Sequence, residues 1–192
     1  MTAKPEKNDK RDAILDAALT LFAERGFHGT AVPLLAAEAE VGAGTLYRYF
    51  ENKEAIVNAL YLKWKWELGR FILEGFPASA SAREQFSHFW QRAALFAREN
   101  QLAFKFLELH HHAPYLDKDA RSMEAEVLAP ALQFFAATSA QKITKPLPTE
   151  LLGSLVWGAL VGLVKSAWEG RLALTPEVID AAEQCCWEAI RA

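Results

Sequence analysis

Residues 30 to 53 read Thr30-Ala-Val-Pro-Leu-Leu-Ala-Ala-Glu-Ala-Glu-Val-Gly-Ala-Gly-Thr-Leu-Tyr-Arg-Tyr-Phe-Glu-Asn-Lys53. The spacing predicts two short helices joined by a tight turn. The first runs from about Val32 to Ala39. Pro33 is tolerated in its first turn, where the missing amide has no intrahelical partner. Leu35, Ala36 and Ala39 share a buried face. After Glu40-Val41-Gly42 a second helix spans Ala43 to Phe50, with Ala43, Leu46 and Phe50 at the spacing of an apolar stripe. Thr45, Tyr47, Arg48 and Tyr49 then point wholly or partly outward, hydroxyls and a guanidinium suited to phosphate oxygens and base edges. The plainer alternative is a core-packing helical hairpin with a Tyr-rich edge. Helices this short gain little unless tertiary packing or a ligand supports them.

Upstream, Lys10 to Arg25 reads as a helix burying Ile14, Ala18, Leu21 and Phe22, closed by Gly26 as a left-handed cap with Phe27 folding back beyond it. Residues 1–9 read as a polar tail. Without an apolar core they do not form a secretory signal, so a cytoplasmic address is expected. Downstream, Asn52 caps a long helix carrying Ile56, Leu60, Trp64 and Phe71 to about Leu73. Ser81 and Glu84 form a capping box for a helix to about Glu99. Gln101 to His112 makes another, stopped by Pro114, and Lys118 to Thr138 a further one, kinked or broken at Pro130. Residues 142–148 read as a linker. The last two helices are Thr149 to Trp168 and Thr175 to Arg191. No strand pattern appears, so the fold class is all-α.

The apolar helix ending Leu21-Phe22-Ala23-Glu24-Arg25-Gly26-Phe27, the block Leu35-Ala36-Ala37-Glu38-Ala39, and above all Gly44-Thr45-Leu46-Tyr47-Arg48-Tyr49-Phe50-Glu51-Asn52-Lys53-Glu54 together resemble the tetracycline-repressor (TetR) family of bacterial transcription regulators. The resemblance covers roughly the first quarter of the chain. It implies a helix-turn-helix domain, assigned to residues 10–55, followed by a helical ligand-binding and dimerisation domain, residues 56–192, with one helix continuous across the boundary. It implies phosphate contacts from Tyr47, Tyr49 and Lys53 and base reading by Thr45. Arg48 joins this set by its outward direction, and Thr30 stands beside it at the entry to the motif. The chain departs from the family pattern at Gly42 and Ala43, where a polar residue and often Lys are usual, and at Glu40, where glycine is common.

Charge is consistent with a reader that gathers its cations on one face. The net charge is −3, from 21 Lys/Arg and 24 Asp/Glu, but residues 1–70 balance at ten of each. Lys4, Lys7, Lys10, Arg11, Arg48 and Lys53 are the candidate cations, and modest non-specific affinity is expected. The longest apolar stretch, Leu151 to Val164, is shorter than the ~20 residues that span a bilayer, so no membrane partner is expected. Cys185 and Cys186 are adjacent on a helix, where a bond between them would be strained.

Ser154, Gly158 and Gly162 recur every four residues and let another helix approach closely. With Val178, Ala182, Cys185 and Ala189 on the last helix, they form the expected face of a homodimer; the alternative is packing within one subunit. A palindrome in double-stranded operator DNA needs two reading helices about 34–36 Å apart. Aromatic excess in the second domain suggests a mainly apolar site for a small hydrophobic or amphipathic ligand. Trp90, Phe104, Leu107, His111, Phe134 and Trp157 are its candidate lining. The expected function is therefore a repressor released from its operator by such a ligand. One alternative is a metal-binding helical enzyme using the Glu108-x-x-His111 pair; another is a regulator that binds no small molecule. Di-iron bundles need two such pairs and further glutamates, so no metal, cofactor or catalytic residue is assigned.

Overall fold

Helix periodicity becomes structure almost throughout. The computed structural model describes residues 7–192, with side chains from Lys10 onward. The described residues form α1 (Lys7–Arg25), α2 (Val32–Glu38), α3 (Ala43–Tyr49), α4 (Lys53–Leu73), α5 (Ala82–Glu99), α6 (Gln101–Leu109), α7 (Lys118–Ala140), α8 (Thr149–Trp168) and α9 (Pro176–Ile190). Extended pairing among them is limited to an isolated bridge between Thr144 and Arg191. Helix α1 begins three residues before the expected Lys10, so residues 7–9 of the expected tail are helical. The rest of that tail lies outside the described residues.

Two compact units result, and they do not follow the expected linear division at residue 55/56. The first holds the described residues up to Trp66 together with Asn100–Met123; the second holds Glu67–Glu99 and Glu124–Ala192. In the first unit α1 packs on α2 and on α6. Ile14, Ala18, Leu21 and Phe22 are buried as their spacing requires, and the Phe22 ring lies 6.3 Å from that of Phe106 in α6. A buried Asn58 on α4 donates to Tyr115 O at 2.8 Å and accepts from Asp117 N at 2.9 Å, tying the segment after α6 to α4.

Helix α6 ends three residues before the expected His112, because His110 turns into extended backbone. Its ring nitrogen Nε2 meets Ala23 O of α1 at 2.9 Å, and His112 Nε2 donates to Phe106 O at 2.6 Å. Phe106 O is one of the carbonyls a helix end leaves without an intrahelical donor, so the second histidine caps the helix that it would otherwise have continued. Helix α7, by contrast, runs unbroken through Pro130.

The second unit is built on α5, α8 and α9. Trp90 of α5 is fully buried and donates its indole N–H to Ile179 O of α9 at 3.1 Å. Glu183 is also buried; Arg83 Nη1 reaches it at 2.5 Å and Gln91 Nε2 at 2.7 Å, the pairing a buried carboxylate requires. Asn52, the Ser81/Glu84 box and Thr175 cap α4, α5 and α9 as their sequences suggest. The stretch read as a linker is strapped down: Lys145 N donates to Ile190 O at 2.8 Å, and buried Thr144 and Thr138 share a hydrogen bond.

The apolar run 151–164 lies within a helix, α8, that is by length and composition long and apolar enough to cross a membrane. Leu152, Val156, Leu160 and Val164 form its buried stripe.

Candidate nucleic-acid interface and apolar cavity

Helices α2 and α3 meet through a turn whose geometry is set by backbone hydrogen bonds. Val41 N donates to Ala36 O at 2.9 Å and Glu40 N to Ala37 O at 3.1 Å, the paired bonds of a Schellman cap. That cap needs a left-handed residue, and Glu40 supplies it at φ 52° where glycine would be unstrained. Beyond the turn, Leu46 and Phe50 anchor α3 in the core. Ala43, expected to face inward, is exposed, since α3 begins there and a single apolar turn suffices to seat it.

The outward set is largely as read. Tyr47 is 54% exposed, Arg48 is exposed, and Thr45 and Tyr49 are half-buried. The guanidinium of Arg11 lies 5.4 Å above the Phe50 ring, which brings an α1 cation beside the end of α3. Lys4 and the side chain of Lys7 lie outside the described residues.

Two of the residues expected to contact DNA, Thr30 and Lys53, make hydrogen bonds inside the chain. Thr30 is fully buried, and its hydroxyl bonds Gly26 O at 2.9 Å and Leu21 O at 3.2 Å. Its hydroxyl is committed to backbone at the close of α1, and the buried side chain offers DNA no atom. Lys53 Nζ donates to Phe27 O at 2.7 Å and to Thr30 O at 2.9 Å, and stands 3.9 Å from the Phe27 ring centroid. An ammonium has three donors, so two are committed to holding the 27–30 turn against the start of α4.

The histidine run does not gather into a metal site. Glu108 Oε1 faces Lys65 Nζ at 3.6 Å, His111 is exposed, and His110 and His112 are spent on backbone carbonyls. Among the described residues no three His, Cys, Asp or Glu side chains are grouped to hold an ion. Burial keeps the His112 imidazole below its ordinary pKa, against the Phe106 carbonyl bond, which raises it.

In the second unit α4, α5 and α7 surround a cavity of about 340 Å³, within the range of small-molecule sites. Gly69, Ile72 and Leu73 come from α4, Gln85, Phe86 and Phe89 from α5, and Val127, Pro130, Gln133, Phe134 and Phe135 from α7, with Phe76 between. A β-carbon on Gly69 would stand 3.1 Å from Val127, so the glycine lets α7 close this wall. Of the six residues expected to line a ligand site, Phe134 does so. Trp90 is committed to Ile179, and Trp157 packs 6.2 Å from Phe89. Phe104, Leu107 and His111 lie in the first unit, because residues 100–123 pack with α1.

On α8 the face opposite the buried stripe is apolar and open. Leu151 is 44% and Leu155 52% exposed, and Ser154, Gly158 and Gly162 are exposed beside them. A β-carbon at Gly158 or Gly162 would meet none of the described residues within 4 Å, so their packing does not demand those glycines. Cys185 and Ala189 of α9 are exposed, while Val178 and Ala182 are half-buried.

Known proteins share this arrangement. A TetR family transcription regulator from Marinobacter aquaeolei superposes with a TM-score of 0.85 at 24% identity, covering 96% of each chain. A TetR family protein from Vibrio parahaemolyticus does so at 0.77 with 28% identity, over 95% of this chain and 99% of that one. The Bacillus subtilis fatty acid metabolism regulator protein is 39% identical over 83 residues, 42% of this chain and 41% of its own length. The chain thus matches about two-fifths of that curated relative. Residues 14–60 match the family described as bacterial regulatory proteins, tetR family, and residues 63–192 that described as tetracyclin repressor-like, C-terminal domain. With those two matches accounting for well over half of its length, the chain belongs to the tetracycline-repressor family of bacterial transcription regulators.

Proposed function

We propose that the protein acts in the cytoplasm as a homodimeric repressor that binds palindromic operator DNA through α3 and leaves it when a small hydrophobic molecule enters the cavity of the second unit. The observation that carries DNA reading is the exposed Tyr47 and Arg48 face, held by buried Leu46 and Phe50. Phosphate contacts fall to Tyr47 and Tyr49, and base contacts to Thr45 and Arg48. The open apolar face of α8, with glycines that intrachain packing does not require, supports pairing of two copies there, α9 contributing Cys185 and Ala189. Helix α4 supplies both the Lys53 clamp and the Gly69 to Leu73 cavity wall, which makes it the element through which occupancy reaches the reader. To release the operator hundredfold, a ligand must favour the non-binding state by ~2.7 kcal/mol. The name of one relative concerns fatty acid metabolism, and an apolar effector fits this lining.

The direct test is to sequence genomic DNA that co-purifies with the protein. Enrichment of a palindromic site is expected, and recovery without any preferred sequence would contradict the reading.

A further inference from the structure

Resting on the reading of this cavity as the effector site, we propose that it takes an uncharged, mainly apolar molecule bearing one hydrogen-bond donor and discriminates against carboxylates of the same size. Among the described residues that line it there is no Lys, Arg, His, Asp or Glu; the polar members are Gln85 and Gln133. Gln85 is fixed, since its amide nitrogen donates to Ala80 O at 2.9 Å and Ala78 O at 3.1 Å. With the nitrogen so used, the carbonyl oxygen is what this amide has left, and it recognises a donor such as a hydroxyl or an N–H.

Arg92, Arg70 and His88 on α4 and α5 are already engaged. Arg92 bonds Glu74 at 2.5 Å and Phe71 O at 2.9 Å, and Arg70 bonds Glu67 at 2.8 Å. His88, edge-on to Phe76, gives its Nε2 hydrogen to Ile72 O at 3.0 Å. A carboxylate entering here would surrender its water without gaining a counter-charge, a loss that a hydroxyl bonded to Gln85 does not suffer.

Calorimetric titration at pH 7.5 with 1-octanol and with octanoate separates charge from shape, because the two share one alkyl chain and the acid is ionised. Octanol is expected to bind, and octanoate at least about a hundredfold more weakly, equivalent to ~2.7 kcal/mol. Ala131 of α7 also lines the cavity, and Ala131→Trp, which puts an indole into that space, is expected to abolish octanol binding. Gln133→Arg, at an exposed position on the lining, leaves the core untouched and is expected to bring octanoate to within about tenfold of octanol. Equal affinity of the wild type for both probes, with loss of both in Ala131→Trp, would overturn the charge selectivity while leaving the effector site standing. If neither probe binds, or octanol binds Ala131→Trp undiminished, the effector-site reading fails and this inference with it. Octanoate binding unmoved by Gln133→Arg would also overturn the selectivity argument.

Discussion

Replacing Lys53 with Met tests whether this ammonium is chiefly a fastening or chiefly a phosphate contact. Methionine keeps an apolar stem against Phe27 but removes both hydrogen bonds, to Phe27 O and Thr30 O. Hydrogen bonds from a charged donor contribute ~1.5–3 kcal/mol each. The site is half-buried and the two bonds share one donor group, so water recovers part of the loss and the values do not sum. A net cost of about 2–3 kcal/mol is expected, including ~0.5 kcal/mol from the cation over the Phe27 ring. For a chain of this size each kcal/mol moves the midpoint by roughly 2–4 °C, giving a fall of about 5–10 °C. Circular dichroism melting of the DNA-free protein reads this directly, and salt-titrated DNA binding well below the midpoint reads the other role. A variant melting within about 1 °C of wild type yet binding all DNA sequences uniformly more weakly would refute the fastening argument.

Further outcomes follow from the same geometry. Arg48→Ala should blur preference at one operator position by ~1–3 kcal/mol without changing the melting midpoint, measured by competition among single-base operator variants. Gly158→Leu should turn the dimer into a monomer in sedimentation, since a β-carbon there meets none of the described residues within 4 Å and the side chain is directed at the proposed partner face. Glu40→Gly should raise the midpoint, by relieving ~1 kcal/mol of left-handed strain. Burial lowers the His112 pKa in the folded state, so the unfolded chain takes up the proton first. Stability is therefore full above the ordinary imidazole pKa of about 6.5 and declines as pH falls from there towards the folded value. His112→Gln, which keeps a donor for Phe106 O, should flatten the fall in melting midpoint between pH ~7.5 and ~5.5; an unchanged slope would count against it.

Where side chains obey a local rule, the sequence was a sufficient guide. Leu46 and Phe50 follow helical spacing, and Asn52, Ser81 with Glu84, and Thr175 sit at recognisable caps, so the elements and the outward face of α3 could be read directly. Partner identity could not. A threonine or lysine beside a reading helix has the right chemistry for phosphate, but the carbonyls of Leu21, Gly26, Phe27 and Thr30 are equally good acceptors, and chain folding delivers them first. The end of α6 is hidden from local sequence for the same reason: His110 finds its acceptor 87 residues away in α1. Aromatic periodicity marks burial without saying which rings face a gap. Trp90 and Phe134 look alike in sequence, yet one hydrogen-bonds across to α9 and the other lines the cavity.

The membership of residues 100–123 in the first unit bears on how such regulators can be recombined. The chain passes between its units at 66/67, 99/100 and 123/124, so the unit that holds α2 and α3 is assembled from two separate stretches of the chain. A chimera that grafts only residues 1–66 onto another regulator would bring Phe22 without Phe106, Ala23 O without His110, and Asn58 without Tyr115 and Asp117. Its new host would have to supply matching surfaces by chance. On the proposed reading by α3, exchange of operator specificity between relatives should therefore succeed through point changes on α3, or through paired exchange of both stretches, far more readily than through a single crossover.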